Sequence, residues 1–249
     1  MSPINTEPPP TATNTAPPPP QSLPSPSSPP TPKFNFTYDP SLTPYTVSLH
    51  TFLQSHPEYD AIATGSLVFW RPPPSLSPST SHPPQSPSSS SPPPRILLQK
   101  RAAHDSMPGR WETPGGGCDL DDESVLHAAA RELWEESRLV AGHVAARVGG
   151  EHVFFSRRGM RIGKLNFVVE VVMDDGAGIG EGEGSPPRVQ LDANEHEDFV
   201  WASEGECRAG KIRDGRELVF TTRAQEEVVY EAFGWWKKRG DKEVLRGGD

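Results

Sequence analysis

The chain is poor in cysteine and has no long apolar run, and these two scarcities exclude several classes of protein. Only two of its 249 residues are cysteines, Cys118 and Cys207, and neither has a Cys-x-x-Cys or Cys/His spacing. Neither a disulfide framework nor a zinc site is indicated, which favours a reducing compartment. No window approaches the roughly 18 apolar residues of a membrane span, so no membrane partner is expected.

Positive charge is also scarce. The net charge of −9, without a basic stripe, argues against a nucleic-acid polymer as partner. An acidic protein can still bind a polyphosphate when a divalent metal supplies the positive charge. The N-terminus, Met1-Ser2-Pro3-Ile4, shows neither a basic n-region nor an Arg-rich amphipathic pattern. No secretory or mitochondrial signal is therefore visible, and a cytoplasmic or nuclear location is predicted.

Proline, in contrast, is abundant and unevenly placed. Of 30 prolines, 13 lie in residues 1–33 and 10 in residues 72–94. These segments contain too few apolar residues to offset the entropy of ordering, so we predict a disordered tail over 1–34 and a disordered insertion over 72–94. Their PxxP spacings could bind SH3 or WW modules, although a passive tail is the favoured reading. One domain is predicted over 35–240.

The rest of the pattern predicts an α/β (α+β) domain with a mixed sheet between helices. The Gly/Asp/Glu-rich stretch 174–187 is predicted to be a flexible loop, and 241–249 a C-terminal tail. Strands at 62–70 and 95–101 are predicted to form a hairpin around the insertion. The other predicted strands are 144–147, 152–156, 164–173 and 199–202; helices are predicted at 47–55 and at 223–238, the latter opened by a capping box of Thr222 and Gln225.

Residues 111–139, WETPGGGCDLDDESVLHAAARELWEESRL, contain a third predicted helix. Asp121 or Asp122 can cap it, and the spacing of its apolar residues predicts one face packed on the sheet: Leu126, Ala129, Ala130 and Leu133. Three carboxylates fall together on roughly the opposite face: Glu132, Glu135 and Glu136. Like charges at this spacing repel. A divalent metal would turn that repulsion into attraction, and oxygen ligands suit Mg²⁺ or Mn²⁺.

The residues around this helix fit the same purpose. In Pro114-Gly115-Gly116-Gly117, the glycines let the backbone approach a ligand closely, so that a carbonyl could join the coordination shell. Arg131 lies inside the acidic patch and can orient Glu123 or Glu135 by hydrogen bonding.

The stretch resembles the Nudix box: Gly, five residues, Glu, seven residues, then Arg-Glu-aliphatic-x-Glu-Glu-x-Gly-aliphatic. Eight of the nine fixed positions match: Gly117, Glu123, Arg131, Glu132, Leu133, Glu135, Glu136 and Leu139. The ninth is Arg138, where the box has a glycine. That glycine ends a helix and is expected to have a positive φ, so a larger residue costs about 1 kcal/mol there or requires a different cap.

The resemblance implies a Nudix-type α/β/α sandwich and hydrolysis of nucleoside diphosphates linked to another moiety. It also implies that Mg²⁺ or Mn²⁺ is bound by Glu132, Glu135 and Glu136, by the carbonyl of Gly117 and more weakly by Glu123. Arg131, Glu132 and Glu136 are the implied catalytic residues, with Glu132 or Glu136 as general base. Because some members take the base from a later loop, Glu195 and Glu197 are the alternatives, whereas the neighbouring His196 is expected to be structural.

A second, less specific resemblance concerns the substrate. The run KRAAHDSMPGRWETPGG is similar to the MutT-type branch, which favours nucleoside triphosphates, including oxidised ones. It implies a substrate contact for Arg101, and Trp111 beside the glycine loop is a candidate for either base stacking or the core. The rival hypothesis is a non-catalytic Nudix module that binds a nucleotide or a protein. Such modules usually lack some of the box glutamates, and this chain has all of them.

Overall fold

The fold is described from a computed structural model, which covers residues 33–73, 92–173 and 184–246, with side chains as far as Arg239. The disorder predicted for the tail, the insertion and the acidic loop falls mainly outside these ranges. Seven strands lie in the described ranges: β1 Thr37–Tyr38, β2 Ala61–Trp70, β3 Arg95–Arg101, β4 Trp111–Glu112, β5 Ala141–Phe155, β6 Arg161–Val171 and β7 His196–Ser203. The helices are α1 Leu49–Ser55, α2 Val125–Ser137, α3 Glu204–Ala209 and α4 Arg223–Arg246, with a 3-10 helix at Pro40–Tyr45.

The strands form one mixed sheet in the order β1-β5-β6-β2-β3-β4, with β7 paired to the other side of β3. β2 runs parallel to β6, whereas the β5–β6, β2–β3 and β3–β7 pairs are antiparallel. The hairpin predicted around the proline-rich insertion is confirmed, because Phe69 pairs with Ile96 and Trp70 with Arg95. The predicted fold class is confirmed as well.

Helices cover both faces of this sheet. α2 packs through its predicted stripe against side chains of β6 such as Phe167 and Val169. On the opposite face α4 packs Val229 and Phe233 against residues that include Val168. Neighbouring residues of β6 thus serve different layers, as the alternation of a strand requires. Among the described helices none is both long and apolar enough to cross a membrane.

Two predicted boundaries are wrong. The strands expected at 144–147 and 152–156 are one continuous β5, whose pairing with β6 shifts register between Val148 and His152. Gly149, with φ of 90°, absorbs the irregularity as a bulge instead of ending the strand. The helix expected to end at residue 238 continues to Arg246. A glycine inside a helix costs only about 1 kcal/mol, so Gly240 is not by itself a stop signal.

α2 ends at Arg138, the one position that departs from the box. Its backbone is left-handed, with φ of 61° and ψ of 13°, and its N–H donates to the carbonyl of Trp134 at 2.8 Å. The guanidinium lies 4.2 Å from the centre of the Trp134 ring. The helix therefore keeps the turn that a glycine would make, and a cation–π contact offsets part of its cost.

Arg138→Gly and Arg138→Ala should separate these two contributions. Both variants lose the contact with Trp134, but only glycine adopts the left-handed conformation without strain. We expect Arg138→Gly to be about 1 kcal/mol more stable than Arg138→Ala in urea unfolding. Equal stability of the two variants would show that this turn carries no strain.

Candidate active site

The glycine loop lies in a gap between two strands. β2 and β3 pair only at one end, and beyond it the loop takes the place of β3 beside β2. The N–H of Thr64 donates to Gly116 O at 2.8 Å, and that of Ser66 donates to Pro114 O at 2.7 Å. At Gly115 the φ is 149°, and a Cβ would collide with the backbone of Thr64 and Gly65. Glycine is therefore required for the loop to lie against β2.

The loop also contacts the glutamates of α2. The N–H of Gly115 donates to Glu136 Oε2 at 2.7 Å. At Gly116 a Cβ would lie 2.5 Å from Glu132 Oε2, so a larger residue would displace that carboxylate. The backbone of the loop and the carboxylates of α2 thus form one wall of the candidate site.

Arg131 binds several carboxylates around the start and middle of α2. Its guanidinium donates to Gly117 O at 2.8 Å, Glu132 Oε1 at 2.9 Å, Glu135 Oε2 at 2.8 Å and Asp122 Oδ1 at 2.9 Å. The predicted contact with Glu135 is therefore present. Since one guanidinium binds all three carboxylates and the loop carbonyl, Arg131 fixes their relative positions.

Two expectations about the start of α2 are wrong. The cap is Ser124, whose side chain accepts from the N–H of His127 at 3.2 Å, because Asp122 is engaged by Arg131. Glu123 does not contact Arg131: its side chain is 83% exposed and lies 3.4 Å from the His127 ring. In this conformation Glu123 is outside the site, so its implied role as a metal ligand stays a prediction.

The glutamates of α2, which the helical spacing placed together opposite the packed face, differ in their exposure. Glu136 is only 4% exposed, because α2 is covered by the glycine loop as well as by the sheet. Burial raises the pKa of Glu132 to about 7, against the opposing effect of Arg131. Burial raises the pKa of Glu136 well above its usual value, although the N–H of Gly115 opposes this. A full negative charge on either carboxylate is therefore unfavourable at this site.

β7 brings a further carboxylate to the same place. One oxygen each of Glu136 and Glu195 and one ring nitrogen of His196 lie within 4.8 Å of one another. Glu197 points elsewhere and pairs with Lys100 at 2.7 Å. Of the two alternative bases, the structure thus brings only Glu195 to the cluster. His196 was expected to be structural, and its place beside two carboxylates adds it to the candidate site.

The side chains of Arg101 and Trp111, the two predicted substrate contacts, already have partners within the protein. The guanidinium of Arg101 is bound to Asp105 and to Glu112. Trp111 is 0% exposed in the core under α4, and its Nε1–H donates to Glu217 O at 2.9 Å. The prediction that Trp111 offers a surface for base stacking is therefore wrong, because β4 directs its ring into the core.

Two charged residues near the site, Glu112 and Lys164, were not predicted from the sequence. Glu112 is buried at the end of β4 and lies 3.4 Å from His196 Nε2. Burial alone would raise its pKa, but the hydrogen bond with His196 and the charges of Lys164 and Arg101 hold it below the usual value. Burial lowers the pKa of Lys164, whose Nζ donates to Gln225 Oε1 at 3.2 Å. The sequence carried one signal for Lys164, since a lysine stands beside the apolar run of β6.

A divalent cation fits this donor set. The charge of Glu195 raises the pKa of both Glu132 and Glu136, and of these two Glu136 is buried and Glu132 half-buried. Buried carboxylates need a compensating charge, and oxygen donors from separate elements suit Mg²⁺ or Mn²⁺. Arg131 compensates Glu132 and Glu135 but donates no hydrogen bond to Glu136 or Glu195 among the contacts of the described residues.

Stabilisation of the fold by Mn²⁺ should therefore increase with pH. A glutamate pKa raised to about 7 makes protonated Glu132 a stabilising form below about pH 4.5, and this contribution is lost as the pH rises through 7. Mn²⁺ must displace that proton at pH 5.5 but not at pH 8, so apparent affinity should be at least about tenfold weaker at pH 5.5. Melting curves with and without Mn²⁺ test this. An equal shift at both pH values would contradict the assignment.

Comparison with known proteins agrees with this geometry. The model of the NUDIX domain matches residues 90–221. An RNA pyrophosphohydrolase of Psychrobacter sp. (strain PRwf-1) is 46% identical over 50 residues, which are 20% of this chain and 26% of that protein, so the match spans about a quarter of the relative.

Solved structures give a more distant likeness. A MutT protein from Methanosarcina mazei Go1 has 21% identity and a TM-score of 0.42, over 72% of this chain and 95% of its own. An Ap4A hydrolase from C. elegans has 13% identity and a TM-score of 0.46, over 72% of this chain and 98% of its own. The family-model match covers more than half of the 249 residues and contains the glycine loop, α2 and most of the sheet. The chain therefore belongs to the NUDIX family.

Proposed function

We propose that the chain is a pyrophosphohydrolase that depends on Mg²⁺ or Mn²⁺ and cuts a diphosphate linkage in a nucleoside diphosphate derivative. The observation that supports this most directly is the meeting of Glu136 from α2 with Glu195 and His196 at the start of β7, with the charge of Glu132 acting on Glu136 as well. Separate parts of the chain bring these carboxylates together, with Glu136 buried and Glu132 half-buried. Such an arrangement is costly in a protein that binds no cation.

The protein's own groups would bind the metal and hold its ligands in position. Glu132, Glu136 and Glu195 would be the carboxylate ligands or bases, and Gly117 would offer its carbonyl. A bound divalent cation would supply charge stabilisation for the phosphates and would lower the pKa of the attacking water. Arg131 keeps Glu132 and the Gly117 carbonyl in place, and the N–H of Gly115 fixes Glu136.

Glu195 is our candidate for the general base. It is exposed, and among the described residues its carboxylate has no hydrogen-bond or ion-pair partner, whereas Glu136 is buried and held by Gly115. As the oxygen of water bonds to phosphorus, Glu195 would accept the proton. The bond between phosphorus and the bridging oxygen would break, and that oxygen would leave with the second phosphate.

For the substrate, we propose a nucleoside triphosphate, including oxidised ones, as the first class to examine. The support is the resemblance of the run around Arg101 to the MutT-type branch. Because Arg101 is bound to Asp105 and Glu112, we propose Lys164 as a cation for a substrate phosphate. Its ammonium is half-buried, and a neutral amide, Gln225, is its hydrogen-bond partner.

The test is product release from a panel of nucleotides with Mg²⁺ or Mn²⁺, with product masses. The panel holds ordinary and oxidised nucleoside triphosphates, ADP-ribose, NADH, dinucleoside polyphosphates, coenzyme A and an RNA with a 5′-triphosphate. We expect turnover of at least one compound, loss of turnover with EDTA, and loss in Glu132→Gln. No turnover of any compound, together with a nucleotide-dependent melting shift, would overturn this function in favour of a binding module.

A further inference from the structure

His196 lies where a metal ligand would be needed. It is 1% exposed, and one of its ring nitrogens lies within 4.8 Å of carboxylate oxygens of Glu136 and Glu195. Ligand atoms about 2.1 Å from one octahedral ion lie about 3 Å apart when adjacent and about 4.2 Å apart when opposite. The three side chains are therefore close enough to share an ion after small movements.

The two ring nitrogens have different surroundings. Nε2 lies 3.4 Å from Glu112 Oε1, so it is the nitrogen that donates a proton to this carboxylate. Nδ1 is buried and has no hydrogen-bond partner among the described residues. A buried nitrogen without a partner is unfavourable, and a purely structural histidine would be expected to use both of its ring nitrogens.

Glu112 makes the arrangement typical of a metal-bound histidine. A metal-binding imidazole usually donates its other N–H to a carboxylate, which fixes the tautomer and makes the ligand more basic. Here Glu112 accepts from Nε2, and Arg101 in turn binds Glu112. The remaining lone pair belongs to Nδ1.

We propose that His196 binds the metal of this site through Nδ1, with Glu136 as an oxygen ligand and Glu195 beside them as the base, and that it favours Mn²⁺ over Mg²⁺. The inference rests on the proposed function and adds a nitrogen ligand from β7 to the carboxylates of α2. Mg²⁺ prefers oxygen donors in proteins, whereas imidazole suits transition metals, so the nitrogen sets the preference.

The experiment uses the full chain and Mn²⁺ alone. Electron spin-echo spectroscopy of the bound Mn²⁺ detects a directly coordinated imidazole nitrogen, and titration gives the Mn²⁺ affinity. His196→Gln keeps an N–H donor for Glu112 but removes the imidazole. We expect the nitrogen coupling in the wild type to disappear in this variant, with Mn²⁺ affinity at least about tenfold weaker. Mg²⁺ affinity, measured by competition, should change less than about threefold.

His152→Gln is the matched control, because His152 also has a buried Nδ1 without a described partner but lies on β5. It should keep the nitrogen coupling. Bound Mn²⁺ without nitrogen coupling in the wild type would overturn the inference and leave the proposed function standing, even if His196→Gln does not fold. A coupling that survives in His196→Gln would overturn it too. A wild type that binds neither metal and hydrolyses nothing would overturn the proposed function as well.

Discussion

Replacing Glu136 by glutamine is expected to lower kcat by at least about a thousandfold. The carboxylate is 4% exposed and is fixed by the N–H of Gly115, so its replacement removes a positioned carboxylate from the cluster. A metal supplies several kcal/mol of charge stabilisation to a phosphoryl transition state, and each 1.4 kcal/mol corresponds to a factor of ten in rate. Steady-state turnover of the best compound of the panel, with Mn²⁺, measures the loss.

Stability distinguishes a loss of chemistry from a loss of folding. The amide oxygen of glutamine can still accept the hydrogen bond from Gly115, while the buried negative charge disappears. Because burial raises the pKa of Glu136, the metal-free Glu136→Gln protein should melt at the same temperature as the wild type or above it. Mn²⁺ should stabilise the variant less. A stable variant that keeps a tenth or more of the wild-type kcat would show that Glu136 is not needed for catalysis.

Glu123→Gln provides a comparison within the same box. The resemblance implies a weak role in metal binding for Glu123, but its side chain is exposed beside His127 in this structure. We expect its kcat to stay within about threefold of the wild type, since an exposed carboxylate outside the cluster contributes little. A large loss would show that Glu123 joins the cluster when metal is present.

The parts of the site that lie close together in the chain could be predicted from the sequence. Helical periodicity identified the face of α2 that packs on the sheet, and the register of the box placed Arg131 among the carboxylates. What the spacing could not show was the depth of Glu136, because burial depends on the loop that folds over α2. The choice of Ser124 as the cap depends in the same way on Asp122 being bound by Arg131.

The parts that join distant segments could not be predicted from the spacing. Glu112 and His196 are 84 residues apart and meet because β4 and β7 pair with opposite edges of β3. For Trp111, period-two alternation shows that neighbouring side chains point to opposite faces, but not which of the faces is the core. Arg101 appeared available in the sequence because its partners, Asp105 and Glu112, could not be assigned without the turn of the β3–β4 loop.

Glu195→Gln and Glu197→Gln should decide which carboxylate is the general base. The two residues are neighbours in sequence, but only Glu195 lies with Glu136, whereas Glu197 forms a half-exposed ion pair with Lys100. Removing a general base lowers kcat by about 10²- to 10⁴-fold, so Glu195→Gln should fall in that range. An ion pair at the surface contributes little, and Glu197→Gln should keep kcat within about twofold.

The two variants separate the possible bases when Mn²⁺ is saturating. If Glu195 accepts the proton, only Glu195→Gln should lose turnover under that condition. A loss confined to Glu197→Gln would reverse the assignment and would require the start of β7 to move in the complex with substrate. If neither variant slows turnover, the base is in α2, and Glu132 becomes the candidate, because Glu136 is the more deeply buried of the two and is already held by the glycine loop.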